Sequence, residues 1–381
     1  MTATSAASLD FFRGETLLRM TATALVHLSR RRSPGTPVYD DAVQKAYNHM
    51  VLHCLTQGAE PPTSVPDLVR WAADVPTRSW PLDLPEELEA ADDYLVDSES
   101  CTPTQQCFEW AVSAADAAAE QFENQLIGEA LALSRAAGSP ESYTAFRRLL
   151  ITRPVLTGTA LALLGADVDL VPLIDTIKRC YEPAPAAYLR NGRFAECSRC
   201  HCLLVPVRDD RYHCELDRCR RERHPQVTRH LEATANGGVY QLSRPLRMFI
   251  TGPGLAETNL EEELISLGLR PEMWPNFDAY DLRITLPDGR VWAIDVKDRA
   301  NPALLGRTAR PFRPQPPYDW AFLVVPQYRF DEREAYGRIF AHHCDEETAG
   351  RLVLLSDTDF LRQVRTALRR HRAEEEGNHH A

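Results

Sequence analysis

The stretch Tyr280-Asp-Leu-Arg-Ile-Thr-Leu-Pro-Asp-Gly-Arg-Val-Trp-Ala-Ile-Asp-Val-Lys-Asp298 decides how the C-terminal half of this chain is read. Leu282, Ile284 and Leu286 alternate with polar residues, which is the period of a half-buried strand. Pro287-Asp288-Gly289 reads as a turn, because proline presets φ and glycine accepts the positive-φ position. Val291 to Val296 is more continuously apolar, as a central strand should be. Successive strand side chains alternate, so Asp295 and Lys297 point to one face and Val296 to the other. Asp281 opens the first strand and can lie beside them. The expectation is a β-hairpin presenting two carboxylates and one amine.

That set of groups suits one task. Hard divalent ions such as Mg²⁺ bind through one or two carboxylates and keep several waters. Such an ion makes a hydroxide nucleophile available at neutral pH and offsets charge building on a phosphate. A nearby lysine orients the water or stabilises that charge. The chemistry expected is hydrolysis of a phosphodiester bond. An Asp-x-Lys triplet alone is a weak motif, and its plain alternative is a salt bridge at a strand end. The hairpin, the strand end and the upstream Asp281 strengthen it. Lys297 is also one of only 3 lysines, against 40 arginines.

Beyond the hairpin, the pattern is Leu260-Glu261-Glu262-Glu263-Leu264, Leu267-Gly268-Leu269, Asp281-Leu282 and Ile294-Asp295-Val296-Lys297. It resembles the core of the PD-(D/E)xK, or restriction-endonuclease-like, nuclease superfamily, and within it the archaeal-type Holliday junction resolvases. The resemblance covers the last third of the chain. It implies that Asp281 and Asp295 hold Mg²⁺ (or Mn²⁺), with the Val296 carbonyl as a further ligand and Lys297 assisting the attacking water. It also implies a helix glutamate, which falls on Glu261. Glu257 lies one turn earlier on the same face, and Glu262 is the neighbouring alternative. The family often has Glu where this chain has Asp295, one methylene shorter.

At 381 residues, 44% hydrophobic and 25% charged, the chain has room for two or three globular domains. There is no run of 18 apolar residues, so no transmembrane helix is expected, and the N-terminus lacks the pattern of a secretory signal. A cytoplasmic protein is the expectation. The net charge of −11 is unevenly spread. Residues 1–189 carry 14 basic and 25 acidic side chains, whereas residues 190–381 carry 29 of each. The N-terminal half repels phosphate on average, while the C-terminal half can supply a basic face.

Residues 1–182 read as an all-α domain. Helices are expected over residues 9–32, 40–54, from 64, 86–96, 104–137, 142–150 and 171–181 from apolar residues at three- and four-residue steps. Arg30-Arg31-Arg32 reads as a solvated helix end. His27, His49 and His53 read as structural or surface residues, and Cys54, Cys101, Cys107 and Cys180 as buried thiols. Pro183-Ala-Pro-Ala-Ala is a linker by composition.

A small zinc ribbon is expected over residues 190–230. Five of the ten cysteines lie within residues 197–219. Cys197-x₂-Cys200 and Cys214-x₄-Cys219 have the spacing of a structural Zn²⁺ site, in which the metal stabilises a unit too small for its own core. Cys202 and His213 stand close enough to replace a ligand. The segment carries ten arginines against six acids, suited either to holding DNA phosphates or to gripping the acidic half.

An α/β nuclease domain is expected over residues 245–373, its elements running helix, hairpin, strand, helix, strand, helix. Residues 299–317 read as a loop whose Arg299, Arg307, Arg310 and Arg313 face phosphates. Residues 374–381 read as a disordered tail. The layout of helical region, ribbon and nuclease is similar to the restriction-endonuclease-like protein of bacterial three-gene islands built around a prokaryotic PIWI-related protein. That similarity implies anti-phage or anti-plasmid defence by DNA cleavage, with a PIWI-like protein and a helicase as partners. The rival expectation is a catalytically inactive nuclease-fold subunit that binds DNA or serves as a scaffold.

Overall fold

The computed structural model describes residues 14–29, 37, 39–84, 93–112, 118–208, 211–220 and 225–379. The chain divides into two compact units, residues 1–121 with 207–224, and residues 122–206 with 225–381.

The first unit is helical. Its helices are α1 (Glu15–Leu28), α2 (Asp41–Gln57), α3 (Val65–Asp74) and α4 (Gln105–Val112). The starts of α2 and α3 are chemically marked. The Asp40 carboxylate accepts from the Val43 N–H at 3.0 Å, and the Ser64 hydroxyl accepts from the Asp67 N–H at 3.2 Å. Gly58 ends α2 in the left-handed conformation, φ 69°. Ala24, Val43, Ala46 and Val65 pack together between α1, α2 and α3. Of the expected helix over residues 104–137, α4 and α5 (Ala118–Ala136) are helical, and residues 113–117 lie outside the described residues. Residues 9–13, 30–32 and 86–92 of the expected elements lie outside the described residues. Cys54 and Cys107 are buried, but Cys101 is exposed, at a turn with φ 53°.

The second unit is built on a five-stranded mixed sheet. Helix α6 (Pro140–Thr152) precedes three short strands, β1 (Val155–Thr157), β2 (Tyr181–Pro183) and, after the ribbon strands β3 (Arg193–Cys197) and β4 (Val227–Glu232), β5 (Val239–Leu242). Strands β1 and β2 flank β5 in a small antiparallel sheet. Helix α7 (Gly252–Ser266) then leads into the main sheet, whose order is β6 (Glu272–Met273), β7 (Leu282–Thr285), β8 (Val291–Val296), β9 (Trp320–Val325) and β10 (Val353–Ser356). Strands β7 and β8 form the expected hairpin. Strands β8, β9 and β10 run parallel, each joined to the next through helices.

Alternation along β8 sorts the core. Trp292, Ile294 and Val296 share one cluster with Leu260 and Leu264 of α7 and with Phe360 and Val364 of α10 (Asp357–His379). On the other face, Leu323 and Val325 of β9 pack with Leu305 of α8 (Pro302–Thr308) and Tyr336 and Phe340 of α9 (Tyr336–His343). Helix α8 falls where a loop was expected. Asn301 caps it, accepting from the N–H groups of Ala303 and Leu304, and Pro302 sits at its first turn. The backbone of residues 374–379, expected as tail, continues α10.

Candidate active site

The hairpin register sets the site. Leu282 pairs with Ile294, so one step outward Asp281 stands opposite Asp295. Like charges directly opposite one another destabilise a ladder, so something must hold these two acids together. Two things do. The Val296 N–H donates to Asp281 Oδ2 at 2.7 Å. Lys297 Nζ donates to Asp295 Oδ1 at 2.8 Å and reaches Asp281 Oδ2 at 3.5 Å. The three groups expected to converge do so. Asp281 is 4% exposed, whereas 35% of the Lys297 side chain remains open to an incoming molecule.

The electrostatics follow from this crowding. Burial raises the Asp281 carboxyl well above the usual range; Lys297 opposes the rise and the Asp295 charge adds to it. Burial pulls the Lys297 ammonium down, but Asp281 and Asp295 outweigh it and the net shift is upward. Lys297 is therefore a fixed cation at neutral pH.

A third carboxylate comes from helix α7. Glu257 is 3% exposed and accepts from Trp274 Nε1 at 2.7 Å and from Arg147 at 3.2 and 3.3 Å. Burial, then the charge of Asp281, push its carboxyl up to about 7, with Arg147 and Lys297 opposing. Arg147 lies on α6 and is itself buried, its guanidinium 5.4 Å from the Trp274 ring centre. Next to it, Tyr143 of α6 donates its hydroxyl to Asp278 at 2.7 Å.

Glu261 has a different partner, Arg148. Its two carboxylate oxygens receive both terminal nitrogens of Arg148, each at 2.9 Å. The helix face is as expected, since Glu257 and Glu261 are one turn apart, but the two acids meet different arginines of α6. Sequence reasoning placed the helix glutamate at Glu261, noted Glu257 one turn earlier beside the alternative Glu262, and missed Arg147, Tyr143, Trp274 and Asp278. Nothing near them in the chain could have singled them out, because Arg147 and Glu257 are separated by 110 positions.

The loop before Asp281 is strained. Trp274, Asn276, Phe277 and Asp278 have φ of 47°, 49°, 58° and 65°. Left-handed backbone costs non-glycine residues ~1–2 kcal/mol each. The contacts of Glu257 to Trp274 and of Tyr143 to Asp278 hold the turn, and the Trp274 N–H donates to the Asp281 carbonyl at 2.8 Å. On the other side of Lys297, Asp298 is 5% exposed and accepts from Tyr328 and, at 2.7 Å, from Arg329 Nε, so both flanks of the site are anchored. Arg299, Arg310 and Arg313 line a cavity together with Asp295 and Lys297, but Arg307 does not line it.

These donors fit a hard divalent cation. They are oxygens, Asp281 and Glu257 are buried and Asp295 is partly so, and the crowding that raises the Asp281 and Glu257 carboxyls is what a cation would relieve. A residue in a strand directs its N–H and C=O to the same edge. The Val296 N–H faces Asp281, so its carbonyl faces that edge too.

In the ribbon, the sulfurs of Cys197, Cys200, Cys214 and Cys219 lie within 4.8 Å of one another and all four residues are buried, so they could hold one metal ion. The first pair sits on a tight turn: the Cys197 N–H donates to the Cys202 carbonyl at 2.9 Å, and His201 has φ 60°. Cys202 and His213 are buried outside this group of four. Several ribbon arginines already have acidic partners: Arg193 with Glu232, Arg229 with Glu196, and Arg211 with Glu99.

Comparison with known families gives two matches. Residues 17–157 match the family described as pPIWI_RE three-gene island domain Y. Residues 254–372 match the family described as REase associating with pPIWI_RE. No curated protein and no solved structure matches the chain. Among the described residues, no helix is long and apolar enough to cross a membrane.

Proposed function

Since the chain joins domain Y of the pPIWI_RE three-gene island to the REase that associates with pPIWI_RE, we propose that it is a metal-dependent DNA endonuclease acting in defence. The observation that carries this reading is the meeting of Asp281, Asp295 and Lys297 at one end of the β7–β8 hairpin. Asp281 and Asp295 hold Mg²⁺ or Mn²⁺, with the Val296 carbonyl as a further ligand. Glu257, rather than Glu261, is the helix carboxylate of the site. The bound ion supplies an activated water and offsets charge on the phosphate. Lys297, as an ammonium, donates to the phosphate oxygens or to the water and cannot accept the water's proton in that state. In the reaction the water oxygen bonds to phosphorus, one P–O ester bond breaks, and the departing oxygen takes up a proton.

The ribbon cysteines hold a structural Zn²⁺. A pPIWI-related protein is the partner that the family names support, and the island layout adds a helicase. The test is direct. Purified protein with Mg²⁺ or Mn²⁺ should nick or cut DNA, and Lys297→Ala should remove at least ~10²-fold of that rate without unfolding the protein. Undiminished cutting by the variant would end the assignment. Tight DNA binding with no cutting under either metal would favour the inactive scaffold.

A further inference from the structure

The face of the sheet carrying Asp295 and Lys297 opens into a cavity of about 290 Å³. Its lining is of two kinds. Arg299, Arg310 and Arg313 join Asp295 and Lys297 as charged groups, and Leu305, Phe312 and Leu323 are apolar. Among the described residues, no side-chain hydrogen bond or ion pair holds the guanidinium of Arg299 or Arg313. Phe312 is half-buried. It stacks on Tyr280 at 6.0 Å with 22° between the rings, and meets the edge of Tyr318 at 6.2 Å. Both tyrosines are pinned: Tyr318 donates its hydroxyl to the Phe312 carbonyl, and Tyr280 donates to the Pro316 carbonyl, each at 3.2 Å. Tyr280 directly precedes Asp281, so this aromatic platform is tied by the chain itself to the acid pair.

A phosphate backbone alone needs cations, and gains nothing from a phenyl ring. Arginines beside a fixed aromatic platform are the composition of sites for unpaired strands. There the cations follow the backbone and bases stack on the rings. Bases inside a duplex are already stacked on one another and cannot reach such a ring. The cavity lies at the small end of ligand pockets, roughly 300–1,000 Å³, which suits one nucleotide rather than a stretch of strand.

We propose that the nucleotide beside the cleaved bond is bound unpaired, its base stacked on Phe312 and its phosphates held by Arg299, Arg313 and Lys297, so that the substrate is single-stranded or locally unpaired DNA. The proposal rests on the nuclease reading for the position of the cleaved bond, but its binding test does not need cleavage.

The full chain is assayed on three DNAs of one sequence: single strand, full duplex, and duplex with an unpaired bubble. The metal is Mn²⁺ for cutting and Ca²⁺ for binding. Binding is followed by the fluorescence of 2-aminopurine in the single strand. Single strand and bubble should be cut faster than duplex. Phe312→Ala should weaken single-strand binding about ten- to hundredfold and abolish the quenching of 2-aminopurine, while Phe312→Tyr retains both. Arg313→Ser, an exposed change that leaves the platform intact, should weaken binding and lower its salt dependence. Equal cutting of duplex and single strand, with binding and quenching indifferent to Phe312, overturns the proposal and leaves the nuclease reading standing. Phe312-dependent binding with no cutting under any metal supports the proposal and removes the nuclease reading instead.

Discussion

Asp281 and Asp295 face each other across the hairpin, and a third acid, Glu257, is buried near them. The cost of that arrangement is visible in protonation. Glu257 titrates at about 7 in the fold, against an ordinary 4.5, and Asp281 is also raised. A raised carboxyl means that the folded state binds more protons than the unfolded one between those values, so stability falls as pH rises through that window. For Glu257 alone the loss is on the order of 3 kcal/mol. Denaturant unfolding without added divalent cation should therefore show lower stability near pH 8 than near pH 5, and Glu257→Gln should flatten that slope. A slope unchanged by the substitution would show that Glu257 is not the group responsible. In cleavage assays Glu257→Gln should lose about 10²-fold or more, whereas Glu261→Gln, which loses only the Arg148 contact, should stay within about tenfold. This pair was half legible in the sequence. The spacing put both glutamates on one helix face, but which of them turned toward the acids depended on arginines 110 or more positions away.

At the scale of elements, the packing of α6 on α7 positions the site. Helix α6 supplies Tyr143, Arg147 and Arg148, each holding an acid of α7 or of the loop before Asp281. The contact is close because Gly254 lacks a side chain: a Cβ there would come within 2.3 Å of Ile151 Cγ1 and 2.4 Å of its Cδ1. Gly254→Ala should therefore destabilise the protein by about 1–3 kcal/mol, and adding Ile151→Ala should recover part of the loss. Additive losses in the double variant, measured by denaturant unfolding, would place the strain elsewhere. The hairpin, strands β9 and β10 and helices α7 and α10 were all legible from period and turn chemistry. Helix α8 was not, because five prolines and four arginines within residues 299–317 resemble a loop, and the Asn301-Pro302 start signal is only two residues long. The left-handed turn at residues 274–278 was equally hidden, since it contains no glycine and is held by tertiary contacts.

For the molecule as a whole, the two family matches meet in one core. Helix α6 lies within the 17–157 match, yet its Phe146 and Leu150 share a cluster with Leu260, Leu264 and Ile294 of the 254–372 match. The ribbon adds a second requirement. If its four cysteines hold zinc, the purified protein should carry one zinc per chain by elemental analysis, and Cys200→Ser should lose it and lower the unfolding temperature. Zinc retained in the variant would point to Cys202 or another ligand. By itself, the sequence determined the hairpin, its Asp281, Asp295 and Lys297, the main helices and the two cysteine pairs. All of these depend on neighbours a few residues apart, where strand alternation, turn geometry and helix periodicity act. Only the tertiary structure decided that Glu257 pairs with Arg147 and Trp274 while Glu261 pairs with Arg148, and that Phe312 lines the same cavity as Asp295 and Lys297. Those outcomes depend on which side chains are buried against which, and burial is settled by packing between segments far apart in the chain.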